Sequence, residues 1–203
     1  MVHEGGGRMK GNRWGQNYDS QIISFFKLGT RYIKFMCIKE LFWYPPKEDY
    51  ILFCCDGASF GNLGNTGFGV LARDSNFQVI GTLSGGVGIA TNFIVEIYVV
   101  LCALEWAISL QLKKVIITSD SKPVINLSDS KRVPWYVRTR CQNVIKQFED
   151  VVLQHCYMEI NFSSNLLEKK GATLVAGEII FHSRRPQFLN IIEMPDTPYY
   201  RFC

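Results

Sequence analysis

From Tyr50 onward the apolar positions follow two periods, and each change of period marks an element. Tyr50 to Cys55 (YILFCC) is a short apolar run ending at Asp56-Gly57, and it reads as a buried strand. Gly61 to Gly67 (GNLGNTG) is a Gly/Asn-rich loop. Phe68–Arg73 and Phe77–Ser84 are strand-like runs around Asp74-Ser75-Asn76, a hairpin signal. These three strands make an antiparallel meander. Phe93 to Leu112 holds no Gly or Pro, and Ile97, Leu101, Leu104 and Ile108 fall at helical spacing. Thr91 or Asn92 serves as its N-cap, and Lys113-Lys114 suit its C-terminal end. It is apolar on almost every side, which predicts a buried helix.

Val115–Thr118 (VIIT) reads as a second buried strand, ending at Ser119-Asp120-Ser121, and Pro123 stands where a further helix would begin. Residues 134–153 predict an amphipathic helix with Val137, Cys141, Ile145, Phe148 and Val152 on one face. Cys156–Phe162 alternates like a half-buried strand, and Glu168–Ala176 predicts a weak final helix. A helix between the third and fourth strands requires a crossover. The expected fold class is therefore α/β, with a five-stranded mixed sheet flanked by helices.

Upstream, residues 1–20 are Gly-rich and without period, Ile22–Trp43 is apolar and aromatic with interspersed Lys, and Pro45-Pro46 breaks the chain. The expected organisation is a poorly ordered basic N-terminal arm (1–47), one domain (48–180) and a C-terminal tail (181–203).

Composition narrows the classes. At 203 residues with 47% hydrophobic and 20% charged, the chain is neither wholly disordered nor fibrous. The longest unbroken apolar run, Ile97–Leu104, is far shorter than the ~20 residues of a bilayer span, so no membrane association is expected. The Met1–Asn17 stretch lacks the apolar core of a secretory signal. Seven scattered cysteines without a CxxC pair read as reduced thiols of an intracellular protein, nuclear or cytoplasmic. The net charge of +4 permits a polyanionic partner without requiring one. The basic residues cluster: eight Lys/Arg against three Asp/Glu up to Lys47, then Lys131, Arg132, Arg138, Arg140 and Lys146. Solvated faces account for either cluster taken alone.

Three carboxylates carry the candidate chemistry. Asp56 ends the first strand, Asp120 ends the fourth, and Glu96 lies in the opening of the long helix. Strand ends and helix N-termini are where α/β sheets place their sites. Glu96 is the only charged residue between Asp74 and Glu105. A carboxylate on a buried helix is costly unless it is paired or holds a metal. Stabilisation by the helix dipole is the simpler alternative. An all-carboxylate donor set suits a hard cation, Mg²⁺ or Mn²⁺, over zinc.

Asp56-Gly57-Ala58-Ser59 with Gly61-Asn62 and Gly64, Thr91-Asn92-x-x-x-Glu96, and Ser119-Asp120-Ser121 together resemble the DGAS-x-GN-x-G, TNxxxE and (S/T)DS motifs of ribonuclease H type 1 domains. The likeness is closest to the plant reverse-transcriptase-like subfamily of non-LTR retrotransposons. That subfamily is similar also at Trp43-Tyr44-Pro45-Pro46, at Val133-Pro134-Trp135, and in the tail at Pro186-Gln187-Phe188 and Tyr199-Tyr200-Arg201. The core resemblance covers about residues 43–178. It implies the ribonuclease H-like fold and a metal-dependent endoribonuclease that cleaves the RNA strand of RNA–DNA hybrids. The partner is then nucleic acid, no membrane is involved, and the state is monomeric. Two Mg²⁺ (or Mn²⁺) ions would be held by Asp56, Glu96 and Asp120 as the catalytic carboxylates. By the same resemblance Gly57, Ser59, Asn62, Asn92 and Lys122 would contact substrate. The pattern departs at the terminal helix, where alignment of Ala172 and Ala176 with the family's alanines puts Thr173 at the fourth carboxylate position. It departs again at Phe93, in place of a second Asn, and at Asn161-Phe162-Ser163-Ser164, in place of a loop His or Arg-Glu. Those departures favour the alternative of a weakened or inactive nucleic-acid-binding relative.

Overall fold

The computed structural model describes residues 21, 24–26, 37–61, 63–122 and 135–202. The basic N-terminal stretch up to Ser20, the helix expected at Pro123, and Lys131, Arg132 and Asn62 lie outside the described residues. Contacts divide the described residues into a larger unit, Leu41–Tyr199, and a smaller one that includes Cys37–Glu40 and Tyr200–Phe202. Strands β1 (Ile38–Phe42) and β8 (Pro198–Phe202) pair as a separate two-stranded ladder.

The larger unit is built on a six-stranded mixed sheet. Its strands are β2 (Ile51–Ser59), β3 (Gly64–Arg73), β4 (Val79–Ala90), β5 (Lys114–Ser119), β6 (Asp150–His155) and β7 (Ile179–His182), in the order β6-β5-β2-β3-β4-β7. β2, β3 and β4 form the expected antiparallel meander, and β5 and β6 add in parallel. The helices are α1 (Asn92–Ser109), α2 (Trp135–Ile145) and α3 (Phe162–Gly171). This is the mixed, helix-flanked α/β sheet expected from sequence, with one more strand: β7 pairs antiparallel with β4.

Side-chain alternation gives the central strands two unlike faces. On one face Phe53 and Cys55 of β2 and Phe68, Val70 and Ala72 of β3 pack with α1 and with Cys141 and Val144 of α2. On the other, Leu52, Cys54 and Leu71 pack with Leu167 of α3, Trp43, and Leu189 and Ile192 of the C-terminal segment. Helix α1 is long and apolar enough to cross a bilayer by length and composition alone. Its packing accounts for that composition. Six buried Val, Ile and Leu residues, at about 1.5–3 kcal/mol each, outweigh the cost of carrying Glu96. It stops three residues short of the predicted end, because Gln111 adopts a left-handed φ of 59°.

Three expected elements are corrected. The first expected strand, β2, runs past Asp56 to Ser59, and Gly64–Gly67, expected as loop, open β3. The helix predicted over 134–153 ends at Ile145, and its last four residues belong to the strand β6. Val151-Val152-Leu153 suits a strand, and the Lys113 carbonyl accepts from Glu149 N and Asp150 N to start the pairing with β5. Val152, read as part of the helix's apolar face, is exposed on this edge strand. The strand predicted at Cys156–Phe162 is instead a 3₁₀ turn, Met158–Ile160, leading into α3. Its alternation reflects Cys156 and Asn161 turning inward while Met158 faces solvent. The final helix accordingly begins six residues earlier than predicted and ends at Gly171.

Candidate metal centre

Register brings the two aspartates together. β2 and β5 run parallel with Cys54 opposite Thr118, so two residues further on Asp56, inside β2, and Asp120, just past the end of β5, stand side by side. Glu96 comes from α1, just past its first turn. The start of α1 is tied to the end of β2: Ser59 N donates to Asn92 Oδ1 at 2.6 Å, and Thr91 caps the helix by accepting from Ile94 N. Gly57 is what lets α1 lie so close, since a Cβ there would come within 3.1 Å of Val95 Cγ2. As a result one carboxylate oxygen each from Asp56, Glu96 and Asp120 lies within 4.8 Å of the others. Asp56 is buried and the other two half-buried. Ser119 Oγ donates to Glu96 Oε2 at 3.4 Å.

Carboxylates this close repel strongly in a partly buried site. Burial, then the nearby Asp120, pushes Asp56 up to about 7. Glu96 is pushed to about 9 by burial, Asp120 and Asp56 in that order. Asp56 Oδ2 is buried with no hydrogen-bond partner. An all-oxygen donor set with an unpartnered buried oxygen is what a hard divalent cation requires.

The opposite wall is α3. Asp56 pairs across the sheet with Gly69 of β3. A Cβ on Gly69 would collide with the backbone of Ser164 and Glu168, and one on Gly67 with Ala172. These glycines let α3 lie directly on the sheet beside Asp56. Asn161 Nδ2 donates to the carbonyl of Cys55 at 3.0 Å, pinning the start of α3 next to Asp56. One turn on, Asn165 stands close enough to Asp56 to lower its carboxyl, against burial and Asp120, which raise it. Three residues further, Glu168 is 1% exposed with Oε1 unpartnered. Burial and then Asp56 raise its carboxyl to about 7, and its own charge in turn raises Glu96.

The remaining expected site residues fall out as follows. Gly57 is buried under Val95. Ser59 is buried, and its hydroxyl donates to Ala90 O at 2.8 Å and accepts from Gly64 N at 3.1 Å. Both hold the end of β2 in place. Asn92 and Lys122 are exposed near the cluster's end of the sheet. Thr173 is corrected. It lies in the turn after α3, exposed, with its hydroxyl donating to Lys170 O at 2.7 Å. The residues that α3 presents to the trio are Asn165 and Glu168. The signal for them was the spacing Asn161-x-x-x-Asn165-x-x-Glu168, i, i+4 and i+7, which marks one helix face once the helix is placed at Phe162.

The likenesses to solved structures define the class of fold. The N-terminal RNase H domain of a Mycobacterium tuberculosis protein, solved fused to maltose binding protein, is 22% identical with a TM-score of 0.57, over 61% of this chain and 94% of that one. RNase H1 of the halophilic archaeon Halobacterium salinarum is 21% identical at 0.57, over 61% and 98%. LC11-RNase H1, solved in complex with an RNA/DNA hybrid, is 20% identical at 0.56, over 61% and 96%. The larger unit is thus an RNase H-type α/β domain. Residues 54–171, more than half of the chain, match the reverse transcriptase-like family, and the chain belongs to it. Comparison with curated proteins gives no match.

Proposed function

We propose that this chain is a cation-dependent nuclease of the ribonuclease H type, acting on the RNA strand of RNA–DNA hybrids. The observation that carries the reading is the convergence of Asp56, Glu96 and Asp120 within 4.8 Å. Asp56 and Asp120, with Glu96, would hold Mg²⁺ or Mn²⁺, and Glu168 rather than Thr173 supplies the further carboxylate, next to Asp56. Bound cations offset the charge that gathers on a phosphodiester under attack and make a hydroxide available near neutral pH. The chain's own residues prepare that site. Asn165 favours the charged form of Asp56, whose buried Oδ2 has no hydrogen-bond partner. Ser119 steadies Glu96. The raised carboxyls keep the cluster partly protonated until cations replace the protons. Asn92 and Lys122, both exposed, are placed to meet the hybrid backbone.

A second reading, nucleic-acid binding with slow or no cleavage, is favoured by one observation: a neutral amide, Asn165, lies against Asp56. A labelled RNA–DNA hybrid incubated with Mg²⁺ or Mn²⁺ separates the two. Cleavage is expected, and Asp56→Asn is expected to reduce it to background while the protein stays folded. Binding of hybrid without cleavage in either cation supports the second reading. Cleavage that persists in Asp56→Asn overturns the assignment of the site.

A further inference from the structure

Helix α3 carries the two side chains that meet Asp56 from the far wall, yet its own N-terminus is poorly equipped. It has no acidic residue in its first turn, and its N-cap residue, Asn161, makes no side-chain cap bond. Asn161 instead directs its amide to Cys55 of β2. The N–H groups of a helix's first turn must nevertheless be satisfied. The missing acceptor arrives from 30 residues downstream. Glu193 Oε1 accepts from Ser163 N at 2.7 Å, and Oε2 accepts from Ser163 Oγ at 2.8 Å.

Glu193 is itself fixed from below. Arg73 Nη2 lies 2.5 Å from Glu193 Oε2, and Nη1 donates to the Glu193 carbonyl at 2.6 Å. Arg73 sits 4.6 Å over the Trp43 ring. Arg73, Glu193 and Ser163 are all fully buried. The same C-terminal segment grips α3 through Tyr199, whose ring lies 6.0 Å from that of Phe162, and through Leu189 and Ile192, which join Leu167 in one cluster.

We propose that Glu193 is a positioning residue: it caps α3 from the C-terminal segment and thereby sets where Asn165 and Glu168 stand against Asp56. A helix is a stiff lever. Ser163 is two residues from Asn165 and five from Glu168, so a slip of the capped turn is carried directly to both. The matched family region ends at residue 171, so the capping residue Glu193 lies outside it, while Arg73 and Ser163 lie within. The inference rests on the proposed cation site for its effect on cation binding, whereas the capping itself does not.

Two double variants separate positioning from mere packing. Arg73→Met/Glu193→Gln and Arg73→Met/Glu193→Leu both remove the buried ion pair, and replacing such a pair by neutral groups is often tolerated. Only the Gln variant keeps an acceptor for Ser163 N. Hydrogen exchange of the amides from Ser163 to Glu168 should stay near wild type in the Gln variant and quicken at least tenfold in the Leu variant. Mn²⁺ affinity, read by calorimetry without substrate, should fall about tenfold in the Leu variant and less than twofold in the Gln variant. In hybrid cleavage the Leu variant should lose kcat with little change in KM. Should the Leu variant fail to fold, Ser163→Pro withdraws the N–H instead, at a first-turn position where helices accept proline, and predicts the same loss of Mn²⁺ affinity. Equal exchange and equal Mn²⁺ affinity in the two double variants, or unchanged affinity in Ser163→Pro, overturns the proposal. A wild-type protein that takes up no Mn²⁺ defeats the cation reading of the site, and the exchange comparison still decides whether Glu193 caps α3.

Discussion

The two faces of the central sheet are held on opposite terms. Toward α1 the contacts beyond its first two turns are apolar: Phe53, Cys55, Phe68, Val70 and Ala72 pack in one cluster with Val99, Leu101 and Leu104, and the polar ties of Asn92 and Glu96 are confined to the helix start. Toward α3 the strands offer Asp56, Gly67, Gly69 and Arg73, and the buried partners include Asn161, Ser163, Ser164, Glu168 and Glu193. Glycines let the α3 backbone approach, and hydrogen bonds and one ion pair then fix its position. An apolar face tolerates sliding, because area and not geometry decides its free energy. A polar buried face does not, because each unpartnered group is costly. The α1 face therefore supplies stability, and the α3 face supplies the placement that a cation site needs.

That contrast is broken most directly by one substitution on each face. Phe53→Ala, fully buried against Trp106, should cost about 3–5 kcal/mol of unfolding free energy. Below its lowered melting temperature its Mn²⁺ affinity should stay close to wild type. Glu168→Gln should do the reverse. It removes a buried carboxyl held among like charges, so the cation-free protein should melt at the same temperature or roughly 2–4 °C higher, the shift expected of about 1 kcal/mol. Its Mn²⁺ affinity should fall by about 10- to 100-fold. Denaturant titration and calorimetry on the two variants check both halves. A Phe53→Ala protein that loses cation affinity in proportion to stability, or a Glu168→Gln protein that keeps full affinity, would erase the distinction between the faces.

The same contrast explains what the sequence made legible. The α1 face is local: the period of Ile97, Leu101, Leu104 and Ile108 is written in one stretch, and so are the strand runs it covers. The apolar strand runs pointed to Asp56 and Asp120, although β2 continues past Asp56 to Ser59, and the isolated charge of Glu96 in an apolar helix was visible as an anomaly. The α3 face is written in pieces far apart in the chain. Arg73 meets Glu193 across 120 residues, and Asn161 meets Cys55 across 106. No period reports such contacts. Val151-Val152-Leu153 happened to extend a helical stripe begun by Val137 and Cys141, which hid β6. That error displaced everything after it, so α3 was placed six residues late. With the helix starting at Glu168, Thr173 faced the site on paper and Glu168 did not. Moving the start to Phe162 puts Asn165 and Glu168 on the inner face. The segment beyond residue 182 has low periodicity because its role is to fill and cap, which irregular backbone can do.

The pH dependence of the cation-free protein sharpens the comparison further, because the raised carboxyls of Asp56, Glu96 and Glu168 cluster at one end of the sheet. Free carboxylates titrate near 4, whereas in the folded chain Asp56 and Glu168 stand at about 7 and Glu96 at about 9. Between pH 4 and 9 the folded protein therefore holds protons that the unfolded chain has released. Stability falls as pH rises wherever the native state binds more protons. The melting temperature without divalent cations should thus drop progressively from about pH 5 to about pH 9. Saturating Mn²⁺ should flatten the drop, since the cation takes the place of the protons, and Mn²⁺ affinity should rise over the same range. A melting temperature that climbs or stays level over this window without cations would mean the carboxyls are neither buried nor mutually crowded. In Asp56→Asn the slope should be shallower, because one of the crowded charges is gone.

The smallest effect is expected at Thr173. Placing a carboxylate there tests whether proximity in sequence to the α3 site is enough, or whether the helix face decides. Thr173 is exposed, and its hydroxyl closes the turn after α3 by donating to Lys170 O. An Asp at this position would lose that donor and would stand just beyond the C-terminus of α3, where the helix dipole disfavours negative charge by about 0.3–1 kcal/mol. Lys169 and Lys170 in the last turn offset part of this. The net change in stability should stay within about 0.5 kcal/mol, as for most exposed substitutions. More to the point, the new carboxylate follows the helix end and lies two residues beyond Gly171, whereas Glu168 is on the turn that rests on Gly69. Mn²⁺ affinity, its pH dependence and the rate of hybrid cleavage should all be unchanged in Thr173→Asp. A tenfold gain in Mn²⁺ affinity would mean that the chain after Gly171 folds back over Asp56, and that the α3 face is looser than its glycine contacts and buried caps require.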